Sequence, residues 1–166
     1  PNKEFAPDGW HVPSDAEWTT LEEYLIANDY NYDGTTTGNK IANAMASTTG
    51  WISSTETGAP GNDQSLNNDS GFNAFSEGFR SYNGSFYNEG NSAVFWSSTE
   101  YDSNDAWFRD LFNYDTQAEK LVELNVYEPD ELGRELWRSL LVVRDWEAAC
   151  GVAKEVAASS FGPHSL

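Results

Sequence analysis

An α+β domain is the fold class this sequence predicts, on three observations. A helix-capping box opens an amphipathic stripe near the N-terminus, a long Gly-, Asn-, Ser- and Thr-rich stretch fills the middle, and alternating apolar segments follow it. The 166 residues suit one domain, and an aromatic content of 14%, with seven Trp, supplies ring surface for a core without a disulfide or a structural metal.

Ser14-Asp15-Ala16-Glu17 is the capping box, with Pro13 just before it, so a helix starts there. Trp18, Leu21 and Leu25 form its inner stripe, Glu22 and Glu23 fall on the outer face, and the pattern fades at Asn28. A second short helix is predicted over Asn39–Ala46, with Ile41 and Met45 inward. From Thr48 to Ser92 the composition favours turns and local side-chain bonds. A structureless loop of that length is abnormal in a compact domain, so Trp51, Phe72, Phe75 and Phe79 are expected to pin it to the core. Trp10 and Trp96 are likewise read as core rings.

Strands are predicted at Ala93–Ser98, Ala106–Asn113 and Leu121–Tyr127, the last by its strict alternation. The tail admits two readings. Leu140-Leu141-Val142-Val143 reads as a buried strand within 139–144, followed by a helix over 146–157. Leu132, Leu136, Leu140, Val143, Trp146, Cys150, Ala153 and Ala157 also fall on one helical stripe, which reads as a single long helix. The first reading is preferred and divides the chain into a domain over 1–145 and a C-terminal extension over 146–166.

Asp and Glu number 27 against nine Lys and Arg, a formal charge of −18, which repels nucleic-acid phosphates and anionic membranes. Such acidity is compatible with calcium, with neutral polysaccharide, or simply with solubility. The single cysteine, Cys150, gives neither an intrachain disulfide nor a two-thiol zinc or redox site. No apolar run is long enough to span a membrane, and the opening PNKEFAPDGW lacks the features of a signal peptide, so the sequence reads as a piece of something longer.

Gly9-Trp10-His11-Val12-Pro13-Ser14-Asp15-Ala16-Glu17-Trp18 resembles the opening signature of the Fibrobacter succinogenes major paralogous domain, a family of bacterial exported proteins. Further matches follow in order at Tyr30–Gly34, Gly38–Ala42, Gly50-Trp51, Gly71–Ala74 and Phe95–Tyr101. The resemblance is strong over 5–114 and weaker after, where Glu119–Trp137 is Leu- and Glu-rich and Leu140–Asp145 stands where members close on a final strand. It implies a C-type-lectin-like fold with two early helices, a long irregular loop region and a twisted antiparallel sheet. It also implies export to the cell surface or beyond. Relatives carry cysteines where this chain has Ala6 and Val142; if those two pair, both halves are missing here. The cysteine oxidation known for related folds does not carry over to a chain with one thiol.

Candidate chemistry is sparse. His11 and His164 are the only histidines, no nucleophile-elbow pattern accompanies them, and His11 is expected to be a buried, hydrogen-bonded structural residue. Asp29, Asn31 and Asp33 reproduce the first half of a calcium loop closed by Gly34, but the twelfth position is Lys40 where a bidentate Glu is needed, so an ordinary Asn/Asp-rich turn is the preferred reading. Asn67, Asn68 and Asp69 form a second oxygen-rich cluster of the same low specificity.

Tyr101, Asp102, Asn104, Asp105, Trp107, Arg109 and Tyr114 form the candidate ligand site. Aromatic faces stack on a pyranose, Asp, Asn and Arg bond its hydroxyls, and alternation puts Trp107 and Arg109 on one sheet face. The plainer alternative makes Trp107 core and the polar residues solvated. The expectation is a non-catalytic extracellular binding domain for a glycan or surface protein that requires no cofactor, with calcium the one ion compatible with it. A structural or interaction module is the second reading and a hydrolase the third.

Overall fold

The computed structural model describes residues 10–81, 84–102 and 105–123. The predicted tail elements, strand 139–144 and helix 146–157, lie outside them, as do the boundary at 145, His164, Cys150 and the C-terminal part of the third predicted strand.

Helix α1 runs Asp15–Ala27 and starts as its sequence dictates. The Ser14 hydroxyl accepts from the Glu17 N–H at 3.3 Å, while the Glu17 carboxylate accepts from the Ser14 N–H at 2.7 Å, so open amide donors are satisfied reciprocally. Asn28 closes the helix, donating its backbone and side-chain N–H groups to the Tyr24 carbonyl at 3.1 and 2.8 Å. Trp18, Leu21 and Leu25 are buried, as the stripe predicts. Helix α2 is shorter than predicted, Ala42–Met45, with Ile41 and Met45 buried. It starts late because Asn39 is committed elsewhere, to the backbone of Ala118.

The middle of the chain is held by side-chain bonds to backbone. Asn67 donates to the carbonyls of Ser47 and Pro60, Ser70 to that of Ala44, and Gln64 takes both backbone groups of Trp51. Trp51 and Phe72 are buried as expected. Phe75 is not: its ring is 46% exposed. Ala74 forms a parallel bridge with Ala46, and alternation then turns the next side chain outward.

Strands β1 (Phe79–Arg80) and β2 (Phe86–Tyr87) form a two-stranded antiparallel ribbon in which Phe79 faces Tyr87. The ribbon meets β3 at Gly78, whose N–H donates to the Ser92 carbonyl at 2.9 Å. Gly78 has φ +66°, and a Cβ there would lie 1.9 Å from the Tyr87 carbonyl oxygen, so both conformation and space require glycine.

Strands β3 (Ser92–Glu100), β4 (Ala106–Phe112) and β5 (Ala118–Glu123) form an antiparallel sheet in the order β3-β4-β5. β5 starts three residues before its predicted start because the Asn39 side chain pairs with the Ala118 backbone. One face carries Ala93, Phe95, Leu111 and Ala118 toward α1. There Trp18, Phe72 and Phe95 meet pairwise at centroid distances of 5.5–6.0 Å, the aromatic centre of the core. Trp96 lies on the other face against Phe108, and both Trp96 and Trp10 are half-buried rather than core residues; among the described residues the enclosed indoles are Trp18 and Trp51.

Candidate functional site

The turn between β3 and β4 is closed by its own polar groups. The Tyr101 and Asp102 N–H groups donate to the Asp105 carbonyl, and the Asp105 N–H donates to the Asp102 carboxylate at 3.0 Å. This Asx geometry ties Asp102 to Asp105 and leaves the Tyr101 ring 52% exposed. Trp107, at the start of β4, meets Tyr101 at right angles with ring centroids 4.9 Å apart. Asn104 lies outside the described residues.

Across the sheet, Lys120 on β5 pairs with Arg109 and is therefore on the same face as Trp107. Its ammonium sits 4.0 Å above the Trp107 ring and 2.7 Å from Oδ2 of Asp15, in the first turn of α1. Oδ1 of the same Asp15 accepts from Nη1 of Arg109 at 3.0 Å. Asp15 is thus bridged between two cations. Burial pushes its carboxyl up, but the Lys120 and Arg109 hydrogen bonds and charges outweigh that and hold it below the ordinary value.

Arg109, predicted for the ligand surface, is 1% exposed and belongs to the helix–sheet seam. Its Nε donates to Glu22 as well as Nη1 to Asp15, so Glu22 faces the sheet instead of the outer surface expected for it. The reason is tertiary: the Arg109 side chain reaches that flank of the helix from β4. Burial raises the Glu22 carboxyl above its usual range, and the Arg109 hydrogen bond and charge offset this only in part.

Tyr114 is 57% exposed and stacked on Phe112 at 5.2 Å. Phe112 lies five residues beyond Trp107 along β4, roughly 17 Å at strand rise and on the opposite face. Tyr101, Asp102, Asp105 and Trp107 are brought together; Arg109 lies beneath them in the core, and Tyr114 stands apart.

The calcium-loop residues satisfy one another. Asn31 is buried and donates its amide to the carbonyls of Thr35 at 2.7 Å, Gly38 at 3.0 Å and Thr37 at 3.3 Å, while its oxygen accepts from the Lys40 N–H. The loop carbonyls therefore converge on an amide, and Asp33 is ion-paired to Lys40 and bonded to Thr35. These hydrogen bonds, that with Lys40 foremost, hold the Asp33 carboxyl down at about 2. Asp29 is exposed, with a left-handed φ of 66° just past the helix end. Among the described residues no group of three or more His, Cys, Asp or Glu is placed to hold a metal ion. His11 is exposed rather than buried, its Nε2 2.8 Å from Glu17.

Sequence reasoning missed three residues. Lys120 and Asp15 build the tip cluster, and Lys120 is within reach of the alternating pattern once the strand is extended back to Ala118. Asp110 faces Glu119 across β4–β5 and is 5% exposed; burial and the Glu119 charge push its carboxyl up to about 8. Nothing in its local sequence separates it from a solvated Asp.

Helix on antiparallel sheet, with aromatic and acidic side chains flanking the β3–β4 turn, defines an α+β domain. The family model for the Fibrobacter succinogenes major domain matches residues 1–144, and the chain belongs to that family. No curated protein and no solved structure matches the chain.

Proposed function

We propose that this chain is a non-catalytic, exported binding domain of C-type-lectin-like fold, and that its ligand, a glycan or a surface protein, is met at the β3–β4 tip. The observation that carries the reading is the Tyr101–Trp107 pair. A half-exposed ring is buttressed at right angles by a second ring on a hydrogen-bonded hairpin, beside Asp102 and Asp105. A rigid aromatic edge flanked by polar acceptors suits the apolar face and hydroxyls of a sugar.

The test is an array of glycans and plant polysaccharides probed with the purified domain, once in calcium and once in chelator. Saturable binding supports the reading, and the chelator lane decides calcium. A blank array in both lanes transfers support to the second reading, a structural or interaction module whose acidic surface serves solubility. The hydrolase reading would draw on Asp110 and Glu119. A pH-dependent activity screen that returns nothing removes it.

A further inference from the structure

We infer that the β3–β4 tip takes a glycan bearing a primary ammonium group, and that Lys120 occupies the ammonium position when no ligand is present. This rests on the binding reading above and names the chemistry of its ligand.

The argument begins with what already fills the site. The Lys120 ammonium lies 4.0 Å over the Trp107 ring and 2.7 Å from Oδ2 of Asp15. An aromatic face and a carboxylate are the two groups that together select an alkylammonium. The position is therefore complementary to such a cation, whichever molecule supplies it.

Two features make the occupant replaceable. Lys120 reaches the position from a side chain that is 38% exposed, so its contacts are of the weak surface kind. Asp15 does not depend on it for orientation, because Arg109, itself fixed by Glu22, holds the other carboxylate oxygen at 3.0 Å. When Lys120 swings out, the Trp107 face and Oδ2 of Asp15 remain in place. Its departure leaves one paired carboxylate and no reorganised backbone.

A sugar source is favoured over a lysine side chain by Tyr101. Its exposed ring stands at right angles to Trp107, 4.9 Å between centroids, and adds a second apolar surface next to the ring that holds the ammonium. A lysine stem has no planar face to lay there, whereas an aminohexose carries its ammonium directly on a ring with an apolar face. The net charge of −18 concentrates cationic ligands near the surface.

Calorimetric titration of the full chain with a glucosamine tetramer, its fully N-acetylated counterpart and a lysine tetrapeptide tests this. The glucosamine tetramer is expected to bind the unmodified protein, and Lys120→Met to tighten it by roughly tenfold, the factor a released ion pair and cation–π contact are together worth. Tyr101→Ala is expected to lose that gain, which general attraction to an acidic surface would not. Equal binding of the acetylated tetramer, lost on Tyr101→Ala, would overturn the ammonium inference while leaving the binding reading intact. Preference for the lysine peptide would overturn the sugar assignment, and no binding of any probe by either protein would overturn the ammonium inference, with the binding reading then decided by the array alone. Thermal melts of each variant confirm that it folds.

Discussion

The side chain of Asn39 pairs with the backbone of Ala118 as a strand would, its amide donating to the Ala118 carbonyl at 2.8 Å and its oxygen accepting from the Ala118 N–H at 3.0 Å. This joins the approach to α2 to the first residue of β5 and sets where that strand begins. Ala118 is buried, so neither group can turn to water if the partner goes. Asn39→Ala is expected to cost about 2–3 kcal/mol and lower Tm by roughly 4–10 °C. Asn39→Asp keeps the acceptor, loses the donor and should fall between. A melt of Asn39→Ala that coincides with wild type would show the pair to be dispensable.

Asp110 makes stability fall as pH rises. Its carboxyl is held at about 8 in the fold against an ordinary value of 3.8, chiefly by burial. The folded state therefore binds more protons than the unfolded chain between those values. Its contribution is complete below about 4 and is lost as pH climbs through about 8. Glu22, also raised, acts in the same direction. Asp15, Glu17 and Asp33 are lowered and contribute stability above their unfolded values, which is lost on acidification. The unfolding free energy from urea titrations is thus expected to peak near pH ~4–5 and decline toward pH ~9 by an amount on the order of a few kcal/mol. Asp110→Asn should flatten the alkaline limb. A wild-type profile level from pH ~5 to ~9 would contradict the burial of an ionisable Asp110.

Arg109 holds two carboxylates at the helix–sheet seam. Arg109→Met leaves Glu22 and Asp15 beside a hydrophobic side chain and is expected to destabilise by about 3–5 kcal/mol. The double variant Arg109→Met with Glu22→Leu should recover most of that loss, because the penalty comes from charge left without a partner. Additive losses in urea denaturation would instead show that Arg109 contributes through its packing.

Asn31 stands where a cation would stand in a calcium loop. Asn31→Ala leaves the carbonyls of Thr35 and Gly38 without their short bonds and is expected to cost about 2–3 kcal/mol. Millimolar calcium should leave the wild-type Tm unchanged, since the converging oxygens are already engaged. A calcium-dependent rise in Tm that disappears in Asn31→Ala would place the ion in this loop.

Much of the fold was legible because its signals are local. The Ser14–Glu17 box and the Trp18, Leu21, Leu25 stripe are complete within α1, and alternation marks β3 and β4 without reference to anything distant. Several of the errors share one physical origin, the choice of a partner far along the chain. Glu22 reads as solvated until Arg109 is placed against it, 87 residues away. Phe75 reads as an anchor until Ala74 bridges to Ala46 and turns it outward. The candidate site divided along the same line. Tyr101, Asp102, Asp105 and Trp107 are neighbours through one hairpin and were found together. Lys120 and Asp15 join them only through tertiary pairing, which also takes Arg109 out of the surface patch, whereas Tyr114 is set apart by the length and alternation of β4.

The most direct test of the tip as the ligand surface is to compare Tyr101→Ala and Tyr114→Ala on the saccharide that binds wild type best on the array. Both rings are exposed, so neither change should unfold the domain, and they stand on opposite faces toward opposite ends of β4. Loss of binding on Tyr101→Ala with Tyr114→Ala unchanged is the predicted result. Binding that survives Tyr101→Ala, or is lost only with Tyr114, would contradict the assignment of the β3–β4 tip.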